Sequence, residues 1–176
     1  KQRLTDHNFL AVLGPSGSGK SSLVLAGLLA QLQGEDPTLQ VVYLTPGADP
    51  LARLAAARQP LATGPAITVV DQFEELFTQT ADEQTRQNFV DQILALSRAE
   101  PLILTMRADF WGECAAYDAH KNEMQAHQFL IGPMTAPQLR AAMEQQAAAV
   151  GLRFEADLSQ TMLDAVRGEP GAMPLL

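Results

Sequence analysis

Gly14-Pro15-Ser16-Gly17-Ser18-Gly19-Lys20-Ser21 decides how this chain is read. The run matches G-x-x-x-x-G-K-[ST], a pattern rarely met by chance in a chain of this length. Its flanks are those the pattern requires. Phe9-Leu10-Ala11-Val12-Leu13 is too short for a helix and reads as a buried strand that stops at Gly14. From Lys20 to about Gln33, the residues Leu23, Val24, Leu28, Leu29 and Leu32 recur at helical spacing. A glycine-rich turn between strand and helix lets successive N–H groups face inward at a positive helix N-terminus. That is a cradle for phosphate, and Gly14, Pro15, Ser16, Gly17, Ser18, Gly19, Lys20, Ser21 and Ser22 are its expected members. Lys20 is the point charge for β- and γ-phosphates, and the Ser21 hydroxyl is a ligand for Mg²⁺.

Outward from this turn, strands and helices alternate. Leu39 to Thr45, Ala66 to Asp71, Pro101 to Arg107 and Gln128 to Ile131 read as further strands, most of them nearly continuous in apolar residues. Such runs belong to a sheet covered on both faces. Asp49-Pro50 opens a short helix, and Thr80-Ala81-Asp82-Glu83 reads as a capping box starting a helix to about Ser97. The pattern predicts a three-layer α/β fold with a five-stranded parallel sheet. After Gly132-Pro133 no strand pattern recurs. Thr135-Ala136-Pro137-Gln138 is another capping box, leading a helix that Gly151 ends, and a second helix runs from about Ala156 to Arg167. The expected organisation is a nucleotide-binding core over residues 1–132 and the start of a helical subdomain over 133–176, in a piece of a longer protein.

Composition excludes several alternatives. Twenty acidic against twelve basic residues give a net charge of −8, which argues against a nucleic-acid-wrapping surface. One cysteine, Cys114, excludes an internal disulfide, and with three histidines no zinc spacing arises. No apolar run approaches the length of a membrane span. The chain reads as soluble and cytoplasmic.

A nucleotide–Mg²⁺ site also needs a carboxylate at the end of a neighbouring strand. Ile67-Thr68-Val69-Val70-Asp71 supplies it, making Asp71 the second metal-organising residue. Many ATPases with this turn place a glutamate directly after that aspartate, but here the position is Gln72. Glu74 and Glu75 are the nearest acids able to reach an attacking water, with Glu75 slightly preferred. Arg107 ends the fourth strand. If that strand lies between those of Gly14 and Asp71, Arg107 faces the γ-phosphate and can sense it. Phe110 and Trp111 read as packing residues.

Together, Gly14–Ser22, the segment Val69-Val70-Asp71-Gln72-Phe73-Glu74-Glu75-Leu76-Phe77, Thr105-Met106-Arg107-Ala108-Asp109-Phe110 and the closing Gly168-Glu169-Pro170-Gly171-Ala172-Met173-Pro174-Leu175-Leu176 resemble a STAND-type NTPase. These are signal-transduction ATPases with numerous domains, related to NACHT and AAA+ ATPases. The closest resemblance is to the bacterial novel STAND group, often fused to WD-type repeats. It implies ATP/ADP and Mg²⁺ as cofactors, phosphate contacts from Lys20, metal contacts from Ser21 and Asp71, and support of hydrolysis by Glu74 and Glu75. It further implies a sensor role for Arg107, and a nucleotide-proximal proline at Pro174. Gly171 stands three residues before Pro174, where the family motif has two.

The function expected on this resemblance is a slow ATP-hydrolysing switch that couples nucleotide state to self-association or effector activation. The fused sensor and effector domains would lie outside this chain. Two alternatives stay open: a high-turnover AAA+-like motor, and a scaffold that binds nucleotide without hydrolysing it.

Overall fold

The computed structural model describes Leu4 and residues 7–132, 134–155 and 157–165. Five parallel strands form one sheet: β1 (Phe9–Gly14), β2 (Gln40–Leu44), β3 (Ala66–Val70), β4 (Leu102–Arg107) and β5 (Gln128–Leu130). Their spatial order is β2-β3-β4-β1-β5. β4 therefore separates β1 from β3, the arrangement on which the sensor reading of Arg107 depended. The register pairs Tyr43 with Val69 and Val69 with Ile103. Every residue of β1 is buried, as the apolar run required.

The helices are α1 (residues 20–35), α2 (Pro50–Arg58), α3 (Glu75–Thr78), α4 (Glu83–Ser97), α5 (Asp118–Ala126), α6 (Ala136–Ala149) and α7 (Leu158–Ala165). α1 is not uniform. It begins as an α-helix over Lys20–Ser22, widens into a π-helix over Leu23–Leu29 and returns to α over Ala30–Glu35. In its π stretch the buried residues are Val24 and Leu29. Leu23, expected on the buried face, is exposed instead.

One local expectation shifts. The cap of α4 is Asp82, whose side chain accepts from the Thr85 N–H, and not Thr80. Thr80 is buried and gives its hydroxyl to the Gly47 carbonyl at 2.8 Å. α5 had no signal in the sequence reading. The box at Thr135 does form, with its N–H donating to Gln138 Oε1 at 2.8 Å. Gly151 follows α6 with φ 77°, the left-handed conformation that ends helices.

The chain divides into two compact units, Lys1–Leu13 with Lys20–Leu130, and Gly14–Gly19 with Ile131–Leu176. The first holds an apolar core in which Phe73, Phe89, Ile93, Leu102, Leu104 and Met106 are fully buried. Cys114 is buried there too, and burial pushes its thiol up to about 12, an inert state. Phe110 and Trp111 pack against the same core, as expected of packing residues. In the second unit α6 packs on α7. Among the described residues, no helix is long and apolar enough to cross a membrane.

Candidate functional site

The glycine-rich turn has the backbone its sequence demands. Gly17 and Gly19 take φ 67° and 80°, conformations that disfavour a side chain, and the Ser18 N–H closes the turn on the Pro15 carbonyl at 3.3 Å. A Cβ on Gly14 would stand 2.6 Å from the Ile131 carbonyl oxygen and 2.9 Å from Ser18 Oγ, so only glycine fits. Ser18 is buried, and its Oγ has no hydrogen-bond partner among the described residues. A buried, unpartnered hydroxyl in such a turn is a group in want of an acceptor, and a phosphate oxygen would meet it.

In the first unit, the side chains after the turn gather on Asp71. This residue is 2% exposed at the end of β3, and its N–H is held by the Leu44 carbonyl. Oδ1 accepts from the Ser21 hydroxyl at 2.8 Å and from the Thr105 hydroxyl. Oδ2 accepts from the Tyr43 hydroxyl at 2.8 Å. The Ser21–Asp71 pair, fifty residues apart, unites the two residues that the sequence assigned to a metal. Both are hard oxygen donors suited to Mg²⁺.

Lys20 is buried to 9% exposure. Burial lowers its pKa, opposed chiefly by the charge of Glu74, then that of Asp71, while Arg107 adds to the lowering. The ammonium therefore stands in a field set by two of the predicted carboxylates. The two glutamates part company here. Glu74 turns Oε2 to the Arg107 N–H at 3.2 Å. Glu75 turns Oε2 to the Gly47 N–H at 3.0 Å, fastening the segment after β2.

Arg107 stands at the end of β4, where the sequence located it. Its guanidinium holds the Asp109 carboxylate with two bonds, Nε at 3.1 Å and Nη2 at 2.5 Å, and lies 5.2 Å from the Phe110 ring centroid. The Asp109 bond raises the guanidinium's pKa and lowers that of the carboxyl. Gln72 carries φ 52°, unusual for a side-chain-bearing residue, and its N–H is held by Thr105 Oγ1 at 3.1 Å. Pro174 lies outside the described residues.

Sequence reasoning did not single out Tyr43, Thr105 or Asp109 as site residues. Thr105 had a signal, being a polar residue in an otherwise apolar strand two positions before Arg107. Tyr43 had none, since only the β2–β3 register brings it to Asp71.

A strand–glycine turn–helix with a lysine and serine, a carboxylate on a neighbouring strand and an intervening β4 define a nucleotide-binding P-loop NTPase. The chain belongs to the Novel STAND NTPase 1 family, whose model matches residues 1–176. No match is found among the curated proteins. Among solved structures, it is similar to the ORC1 protein of Aeropyrum pernix in complex with DNA, at TM-score 0.69 and 16% identity. That match covers 92% of this chain and 50% of the ORC1 chain. Domain III of the Thermotoga maritima replication initiation protein DnaA gives TM-score 0.70 at 14% identity, covering 92% of this chain and 70% of that one. A Walker-type ATPase of Pyrococcus abyssi gives TM-score 0.64 at 13% identity, covering 98% and 62% respectively. At these identities the likeness is one of fold. The chain spans about half the length of the ORC1 protein it matches.

Proposed function

We propose that this chain binds ATP with Mg²⁺ and hydrolyses it slowly, as the nucleotide-dependent switch of a larger, cytoplasmic multidomain protein. The observation that carries the reading is the Ser21–Asp71 hydrogen bond at 2.8 Å beside the buried Lys20. Ser21 and Asp71 would hold the metal, which supplies Lewis-acid charge to the phosphoryl oxygens when bound. The turn Gly14–Ser22 would hold the phosphates through its N–H groups and the Ser18 hydroxyl. Lys20 would neutralise charge that builds on the γ-phosphoryl group.

Glu74 is the better general base of the two acids. Each acid accepts one backbone N–H, but the Glu74 carboxylate is the largest of the charges that raise the pKa of Lys20, and Glu75 is not among them. Glu74 would take a proton from the attacking water as its oxygen bonds to the γ-phosphorus and the bond to the bridging oxygen breaks, releasing ADP and phosphate. Arg107 would report the γ-phosphate by exchanging Asp109 for phosphate oxygens. The fused WD-type sensor, the effector and ATP-driven self-association are the remaining parts of this reading, with family membership as their support.

Bound-nucleotide analysis and turnover on the purified protein test it. Stoichiometric ADP that is lost in Lys20→Ala is expected. Glu74→Gln should retain nucleotide and lose about 10²- to 10³-fold in turnover. A greater loss in Glu75→Gln would reverse the assignment. A wild-type protein that binds ATP and never hydrolyses it would make the scaffold reading correct, and many turnovers per minute the motor reading.

A further inference from the structure

Asp71 ends its strand buried, yet one of its oxygens is reached from the neighbouring strand. Tyr43 on β2 pairs in register with Val69, two residues before Asp71. Residues two apart share a face of the sheet, and paired residues on adjacent strands share it too. A long aromatic side chain spans the diagonal to the next position on that face. The Tyr43 hydroxyl accordingly meets Asp71 Oδ2 at 2.8 Å.

The last torsion of an aspartate is broad and two-fold, so fastening one oxygen alone leaves the carboxylate free to tilt. Oδ1 accepts from Ser21 and Thr105, which fills its two lone-pair sites. Oδ2 accepts from Tyr43 at 2.8 Å, the one hydrogen bond to it seen among the described residues, which leaves a lone pair for a further partner. We propose that Tyr43 is a positioning residue of the Mg²⁺–nucleotide site: its hydroxyl fixes the plane of the Asp71 carboxylate and so aims the remaining Oδ2 lone pair at the cation or its water. The inference rests on the reading of Asp71 as metal-organising. A phenol keeps its proton at neutral pH, so the hydroxyl is a donor to the carboxylate there. Tyr43 is 43% exposed, so the fold makes little demand on its oxygen, and phenylalanine serves equally well in a strand.

The test is a titration of the full chain with a fluorescent ADP analogue, in EDTA and across a range of Mg²⁺ concentrations. Wild type, Tyr43→Phe, Asp71→Asn and the double variant are compared. Tyr43→Phe should bind the analogue like wild type in EDTA and require about tenfold more Mg²⁺ for the metal-dependent gain. Tyr43→Met, which also removes the hydroxyl, should show the same shift. The double variant should be no weaker than Asp71→Asn, because Tyr43 acts only through that carboxylate. A wild-type Mg²⁺ response in Tyr43→Phe, with Asp71→Asn impaired, overturns the inference and leaves the metal reading standing. An additive loss in the double variant also overturns it. An undiminished Mg²⁺ response in Asp71→Asn overturns the metal reading itself.

Discussion

The hydroxyl of Thr105 works in both directions: it accepts the Gln72 N–H at 3.1 Å and donates to Asp71 Oδ1. The Thr105 carbonyl, meanwhile, accepts the Phe73 N–H at 2.9 Å. One residue of β4 thereby holds three consecutive residues after β3. It also helps to hold Gln72 at φ 52°, which costs about 1–2 kcal/mol for an L-residue. Thr105→Val keeps the shape of the side chain and removes both bonds. It leaves a buried carboxylate oxygen with one donor fewer and the Gln72 amide without its acceptor. A loss of about 1–3 kcal/mol is expected in urea unfolding, with impaired Mg²⁺–nucleotide binding. A loss below about 0.5 kcal/mol would mean that water replaces the hydroxyl. Among the site residues, Lys20, Ser21 and Asp71 were legible because their types and spacing are local. Tyr43 and Thr105 act across strands, and their roles appear only when the register is known.

At the scale of elements, β1, the turn and the start of α1 were legible because an apolar run, glycines and helical spacing occur in succession. α5 was not. Its nine residues are mostly polar, and among those whose burial is described the fully buried ones are His120 and Met124, one helical turn apart. Four-residue α3 is too short for any periodicity. The π stretch of α1 was equally hidden, since Leu23, Val24, Leu28 and Leu29 satisfy a 3.6-residue repeat as well. The shifted cap of α4 has a measurable consequence. Asp82 accepts from the Thr85 N–H at 2.8 Å and from the Thr85 hydroxyl at 2.7 Å, which lowers its pKa. Asp82→Ala should lower the melting temperature by about 2–4 °C and speed hydrogen exchange at the Thr85 amide. Thr80→Ala should leave that amide's exchange unchanged. The reverse result would restore the cap to Thr80.

For the molecule as a whole, stability towards acid depends on a histidine the proposed chemistry does not use. His120 is fully buried on α5, with its ring 5.0 Å from that of Phe73 and 6.1 Å from that of Phe9. Neither ring nitrogen has a hydrogen-bond partner among the described residues, and burial pushes the pKa from 6.5 down to about 4. The unfolded chain therefore takes up this proton at a higher pH than the folded one. Between pH 6.5 and about 4 acid favours unfolding, and the native state is most stable above that window. From pH 7 to pH 5 this one group should remove about 2 kcal/mol. Glu100 acts at lower pH. Burial would raise its carboxyl, but hydrogen bonds from Arg58 and Thr68 hold it below the usual range, so its contribution is lost only as pH falls through that depressed value. His120→Leu separates the two. Leucine suits the apolar surroundings and leaves no buried nitrogen unpaired, so the variant should be at least as stable at pH 7. Urea unfolding at pH 7 and pH 5 should show wild type losing about 2 kcal/mol more than the variant across that interval. Equal losses would mean that water reaches the imidazole in solution, and that the core around Phe73, next to Glu74, is open to solvent.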